Sequence, residues 1–284
     1  MLSMSSTGSD ILVVGGGPSG LAAGLELDKL INEEKSGFPK STITIVETQP
    51  AITSLDTEKA FSYLVAGGGL NFVDRHGLSE VEKQGVRSTD IFFTIVNGAD
   101  GAIKKNPLPF VDPLARPGWW HPREKFIKIL VDAFNAKIEE RNKEDGPAKL
   151  EFLQGWELSK MDRVSSGGGY SFDVVLRSKS NSGEQRTMRP WLVVGADGLK
   201  STVRERLAEW AREDGATQAE KERYDLKKVY SASAGLRYKV LAVKPNFPVG
   251  KNESSGELVV ADPTTAISFQ STLQGKDPYR ELRL

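Results

Sequence analysis

The first residues able to do chemistry are the glycines of DILVVGGGPSGLAAGLEL, residues 10–27, spaced Gly15-x-Gly17-x-x-Gly20. Glycine loses more backbone freedom on folding than any other residue, so three in a row need a physical reason. This spacing suggests pyrophosphate recognition. Gly15 permits a tight turn, Gly17 lets a phosphate approach the main chain, and Gly20 lets a helix pack close to a sheet. Pro18 and Ser19 fall in the first turn of that helix, where unpaired N–H groups and the helix dipole favour an anion. A glycine turn with no ligand is the plainer alternative. Glu47 supplies the second group, because a carboxylate there can accept hydrogen bonds from both ribose hydroxyls of an adenosine. It lies farther from Gly20 than the roughly 20 residues usual in such a fingerprint. The polar loop around residues 33–41 takes up the excess, since surface insertions cost little. An acid at this place favours an unphosphorylated ribose.

These groups need a frame. DILVV reads as a short buried strand, PSGLAAGLELDKLI as a helix opened by proline, and TITIVE (42–47) as a second, β-branched strand. Strand, glycine turn, helix and strand make a βαβ unit, which implies a parallel sheet. DIFFTIVNGADGAIKK, residues 90–105, reads as a hairpin around an Asn-Gly or Asp-Gly turn. Within residues 122–144, Phe126, Ile127, Leu130, Val131 and Phe134 recur at helical spacing and predict an amphipathic helix. WLVVGADGLKSTVRERLAEW, residues 191–210, repeats the strand–turn–helix order, with Val203, Leu207 and Trp210 on one face. RVSSGGGYS (163–171) and SKSNSGEQR (178–186) are expected loops around a strand FDVVLR. Residues 212–228 are polar enough for a linker. GLRYKVLAV (235–243) and TAISFQSTL (265–273) alternate as antiparallel strands do.

Composition narrows the function classes. The chain has 284 residues, 38% of them hydrophobic, and no apolar run near a bilayer's thickness. Its 38 Lys and Arg balance 38 Asp and Glu, and no basic stripe marks a nucleic-acid surface. Absence of cysteine excludes disulfides, thiolate catalysis and cysteine-held metals. With no signal in the polar lead-in MLSMSSTGS, an intracellular, cytoplasmic protein is expected. His76 and His121 lack ligand spacing, so no metal site is expected. Trp119 and Trp120 read as core more than as cavity wall. The serine–glycine run at 165–169 is no nucleophile elbow, having no Gly-x-Ser-x-Gly between strand and helix.

The second glycine turn, Gly195-Ala196-Asp197-Gly198 followed by Ser201 and Arg204, resembles the Gly-Ala-Asp-Gly-x-x-Ser-x-x-Arg segment of the group A flavin monooxygenases, the aromatic hydroxylase superfamily. The first glycine motif upstream strengthens the resemblance. In that family the first motif holds the ADP half of FAD, and the later segment is associated with both FAD and NADPH, which implies a cofactor-binding role for Asp197. The family often carries an arginine opening a helix between the two motifs, and Arg123 matches it. KAFSYLVAGGGLNFVDRHGL, residues 59–78, is similar to the flavin-facing region of kynurenine 3-monooxygenase-like members and puts Ala60 beside the cofactor.

The resemblance implies an α/β fold: a Rossmann-like FAD-binding domain over residues 1–75 and 110–210, with a partial antiparallel β-sheet substrate domain over 76–109 and 225–284. It also implies FAD as cofactor, NADPH or NADH as co-substrate, and oxygen transfer from O2 to an aromatic, kynurenine-like small molecule. No catalytic acid or base is assigned, since the flavin carries the difficult step. No match to the arginine and tyrosine that grip a substrate amino acid falls between Arg75 and Trp120. The family's later Gly-Asp-Ala segment is also missing, so a C-terminally shortened chain is expected. A flavin oxidoreductase that does not hydroxylate and an ADP-binding remnant without activity stay open as alternatives.

Overall fold

A computed structural model describes residues 10–32, 37, 39, 41–54, 61–88, 92–96, 102–107, 116–143, 149–166, 169–181, 183–213, 217–219, 222, 246–252 and 254–260. The first part of the chain forms β1 (Asp10–Val14), α1 (Pro18–Asn32), β2 (Thr42–Glu47), β3 (Ser62–Val65), α2 (Gly68–Arg75) and α3 (Glu80–Gln84). There follow β4 (Val86–Arg87), β5 (Phe92–Val96), β6 (Ala102–Pro107), β7 (Trp119–Pro122) and α4 (Arg123–Lys143). The last elements are β8 (Lys149–Gln154), β9 (Trp156–Ser166), β10 (Gly169–Ser178), β11 (Gln185–Met188), β12 (Pro190–Gly195), α5 (Thr202–Glu213), β13 (Pro248–Asn252) and β14 (Leu258–Val260).

The central sheet runs β12-β1-β2-β8 and is parallel throughout. Counted along the chain, that is the 3-2-1-4 order of a dinucleotide-binding sheet. β1 shows why the strands are nearly all apolar. Ile11 and Val13 enter one core with Leu21 and Leu25 of α1, Ile43 and Ile45 of β2, and Ile127, Leu130 and Phe134 of α4. Leu12 and Val14 point the other way, toward Met161, Val174, Leu176, Met188, Val203 and Trp210. A strand buried on both faces has no reason to alternate polar residues. The layers are therefore helices α1 and α4, the parallel sheet, and a covering antiparallel meander β11-β10-β9 joined by α5.

Two further sheets complete the described residues. β3-β7-β4 is antiparallel and carries Trp119 and Trp120, both half-buried, beside the fully buried His121. Leu78 and Val81, around α3, join the first core. The sheet β14-β13-β6-β5 contains the expected hairpin, with Phe92 opposite Pro107 and Val96 opposite Ile103.

Some expectations change. RVSSGGGYS is no simple loop: β9 and β10 pair through most of it, and Ser165 stands opposite Tyr170. Ladder pairing with a long partner strand outweighs the serine and glycine content. β13 lies parallel to β6, so the fourth sheet is mixed rather than antiparallel. Leu207 is 45% exposed, and Ala208 takes its place in the core beside Val203 and Trp210. The strands expected at 235–243 and 265–273 lie outside the described residues, as does most of the expected linker.

Candidate functional site

The chain order of the sheet reverses at β1, whose neighbours are β2 and β12. The crevice outside the carboxyl ends of such strands is the place where open α/β sheets take ligands. Both glycine motifs meet there. Gly15 N–H donates to Val46 O at 2.8 Å, and Ala196 N–H donates to Val14 O at 2.7 Å. Gly15 has φ +106°, and a Cβ on it would lie 2.3 Å from the Ala196 carbonyl oxygen. A Cβ on Gly20 would lie 1.8 Å from the carbonyl oxygen of Gly15. The first and third glycines are thus consumed by the protein's own packing: the turn closes on α1 and on the second motif.

Gly17 is different. A Cβ there would meet nothing within 4 Å. Its absence leaves bare backbone facing open space at the start of α1, where Ser19 is exposed and Pro18 half-buried. The N–H groups of Ser19 and Gly20 are second and third in the helix and have no intrahelical acceptor; the first regular bond is Leu21 N–H to Gly17 O at 3.0 Å. Open space, free-facing backbone and the positive end of a helix dipole are what a pyrophosphate requires. The dinucleotide fits these residues.

Glu47 stands at the edge of the same crevice. Gly16 N–H donates to its Oε2 and Gln49 N–H to its Oε1, each at 2.8 Å. A carboxylate oxygen accepts two hydrogen bonds, so both retain a lone pair. The two backbone bonds hold the carboxylate beside the glycine turn. Gly16, which lies outside the spacing motif, makes this possible: a Cβ on it would sit 2.7 Å from Glu47 Cβ and 2.9 Å from the Phe152 ring. The run of three glycines was the signal for it.

Asp197 serves its own turn. Its Oδ1 accepts from Ser201 Oγ at 2.6 Å, and its Oδ2 accepts from Thr202 N–H at 2.7 Å and Val203 N–H at 3.3 Å. Ser201 Oγ accepts in turn from Arg204 N–H at 3.0 Å. The Arg204 guanidinium folds back on the carbonyls of Leu199 and Gly198. Asp197, Ser201 and Arg204 of the second motif thus cap α5, whose Val203 packs against Gly195 at the end of β12.

Arg123 opens α4, and its N–H donates to Phe61 O at 2.9 Å. Asp28 near the end of α1 pairs with Arg141 near the end of α4, Oδ1 to Nε 3.0 Å, so the two helices run the same way. Both begin at the carboxyl edge of the sheet, which sets Arg123 on the glycine-turn side. Its half-buried side chain has no hydrogen bond or ion pair with the described residues. Ala60 lies outside the described residues. His121 is fully buried and its Nε2 lies 2.8 Å from Val81 O. Burial holds its pKa below the usual 6.5. Among the described residues no cluster of His, Asp and Glu could hold a metal ion.

No protein-family model and no curated protein sequence matches the chain. Solved structures of similar course include aklavinone-11 hydroxylase, determined as a ternary complex with FAD and aklavinone: 20% identity, TM-score 0.47, over 72% of this chain and 35% of that one. p-Nitrophenol 4-monooxygenase PnpA from Pseudomonas putida DLL-E4 gives 19% identity and TM-score 0.45, over 69% of this chain and 41% of that one. 2,6-Dihydroxypyridine-3-hydroxylase from Arthrobacter nicotinovorans gives 19% and 0.39, over 72% and 40%. The chain therefore spans well under half the length of each of these hydroxylases.

Proposed function

We propose that the chain binds FAD at the β1–β12 crevice and belongs to a monooxygenase that hydroxylates an aromatic, kynurenine-like small molecule with NAD(P)H and O2. The observation that carries this is the open backbone face of Gly17, set between the start of α1 and the Glu47 carboxylate. Gly17, Pro18, Ser19 and the first N–H groups of α1 would hold the pyrophosphate, Glu47 the adenosine ribose, and the Arg123 guanidinium a phosphate or flavin oxygen. Asp197 acts through α5, by holding that helix at the edge of the crevice. When bound, the flavin supplies hydride acceptance and reaction with O2. The chain's own part is to orient that group and to keep water from it.

In this reading residues 1–75 and 110–210 form the cofactor domain, and 76–109 with 225–284 form the substrate-side sheet. The purified chain's visible spectrum tests the proposal: absorption near about 450 nm with about one FAD per chain is expected. A colourless protein that cannot be reconstituted leaves the ADP-binding remnant. If FAD binds but NADPH is consumed without an oxygenated product, the non-hydroxylating oxidoreductase stands instead.

A further inference from the structure

His121 is a fully buried imidazole that the proposed flavin site does not use. It is carried by β7 and meets α3, with Nε2 2.8 Å from the Val81 carbonyl oxygen. A carbonyl only accepts, so Nε2 carries the proton of the neutral ring and Nδ1 a lone pair. That lone pair has no hydrogen-bond partner among the described residues. Gly85, where α3 ends, closes on the same ring: a Cβ there would lie 2.5 Å from Nε2 and 2.6 Å from Val81 O. Phe126 of α4 lies against it with ring centroids 5.9 Å apart. The neutral imidazole fits this place. The imidazolium does not, because a proton on Nδ1 would be buried without an acceptor.

The charged groups of the elements packed on β7 supply none. α3 carries Glu80, Glu82 and Lys83, with Lys83 paired to Glu80 and Arg116 to Glu82, each at 2.8 Å. α4 opens with Arg123, Glu124 and Lys125, β4 carries Arg87, and β3 sets Tyr63 opposite His121. Lys125 acts on the ring and, being positive, opposes a second positive charge. The elements held by His121 are also short. α3 has five residues, and β4 meets β7 at two register positions, Val86 opposite Trp120 and Arg87 opposite Trp119. Within residues 80–87 Val81 alone is buried. Ile11, Leu21, Ile43, Ile127 and Phe134, which seal the parallel sheet, belong to other elements.

We propose that His121 is an acid-sensitive latch: a proton taken from solvent at Nδ1 turns the ring out of its place and frees α3 and β4 from β7, while the parallel sheet keeps its fold. The latch needs no cofactor and stands apart from the flavin reading. In the open form the ring meets water and titrates near 6.5; in the closed form burial holds it lower. Opening is therefore independent of pH above 6.5. Below it opening gains up to about tenfold per pH unit, until the pKa of the closed form is reached.

Amide hydrogen exchange of the full chain at pH 7.5 and 5.5, each rate divided by the intrinsic rate at that pH, tests this. Protection over residues 80–88 is expected to fall at least threefold, with about tenfold as the ceiling, while β1 and β2 keep theirs. His121→Gln should remove the difference between the two pH values. Protection that does not change with pH, an equal fall in His121→Gln, or a fall shared by β1 and β2 overturns the proposal. Should His121→Gln fail to fold, His76→Gln decides, since the chain has two histidines. A fall that persists in His76→Gln, with its onset near pH 6.5, belongs to His121. One that disappears there, or begins only in the carboxylate range, rejects the latch.

Discussion

The glycines of the first motif have opposite physical reasons for being glycine, and substitution separates them. Gly20→Ala drives a methyl against the Gly15 carbonyl, 1.8 Å away, and overpacking of backbone costs about 1–3 kcal/mol. Its urea midpoint is expected to fall. Gly17→Val points into open space, so the midpoint should hold while FAD affinity, followed by flavin fluorescence, drops at least tenfold. A Gly17→Val variant that binds FAD normally removes Gly17 from the cofactor site. Glu47→Ala strips acceptors from the N–H groups of Gly16 and Gln49. A loss of about 1–3 kcal/mol is expected in chemical denaturation, together with weaker binding of both ADP and FAD. If affinity is unchanged, Glu47 holds the turn and not the ribose.

At the scale of elements, α5 shows how a cofactor motif also builds structure. Asp197→Ala removes the acceptor for Ser201, Thr202 and Val203, and loss of such a cap costs about 0.5–2 kcal/mol. Asp197→Asn keeps an acceptor oxygen and should recover most of it, read as the midpoint of chemical unfolding. An unchanged midpoint in the alanine variant denies the cap. At the helix's other end Trp210 stacks on Phe172 with ring centroids 5.9 Å apart, and the Arg163 and Arg206 guanidinium carbons stand 5.5 and 5.8 Å from its ring. Trp210→Ala is expected to cost about 3–5 kcal/mol, because it frees α5 from the meander. Asp197 at one end and Trp210 at the other thus hold α5 in place.

For the whole molecule, His121 links stability to pH. Its ring, carried by β7, is fully buried against Phe126 and the Val81 carbonyl of α3, close to Lys125, and Nδ1 has no hydrogen-bond partner among the described residues. Burial disfavours the imidazolium, so the folded pKa lies below 6.5. Above pH 6.5 both folded and unfolded states are neutral there and His121 adds no pH dependence. Below it the unfolded chain takes up a proton that the folded chain refuses, so stability falls with pH until the folded pKa is reached. The urea midpoint should decline from pH 7 toward pH 5, and His121→Gln should flatten that slope. An equal slope in the variant assigns the loss to other groups.

Periodicity made the βαβ unit, α4 and the β5–β6 hairpin legible, because a strand buried on both faces and an amphipathic helix write their period into neighbouring residues. The glycine spacing likewise marked the turn and singled out Gly17. Long-range pairing escaped that reading. That β9 zips to β10 through serines and glycines, that β13 joins β6 in parallel, and that Ala208 displaces Leu207 from the core depend on partners far along the chain. The second role of Gly15 was hidden for the same reason. A glycine can signal a turn by itself, but only the pairing of β1 with β12 brings the Ala196 carbonyl to where a side chain would otherwise stand.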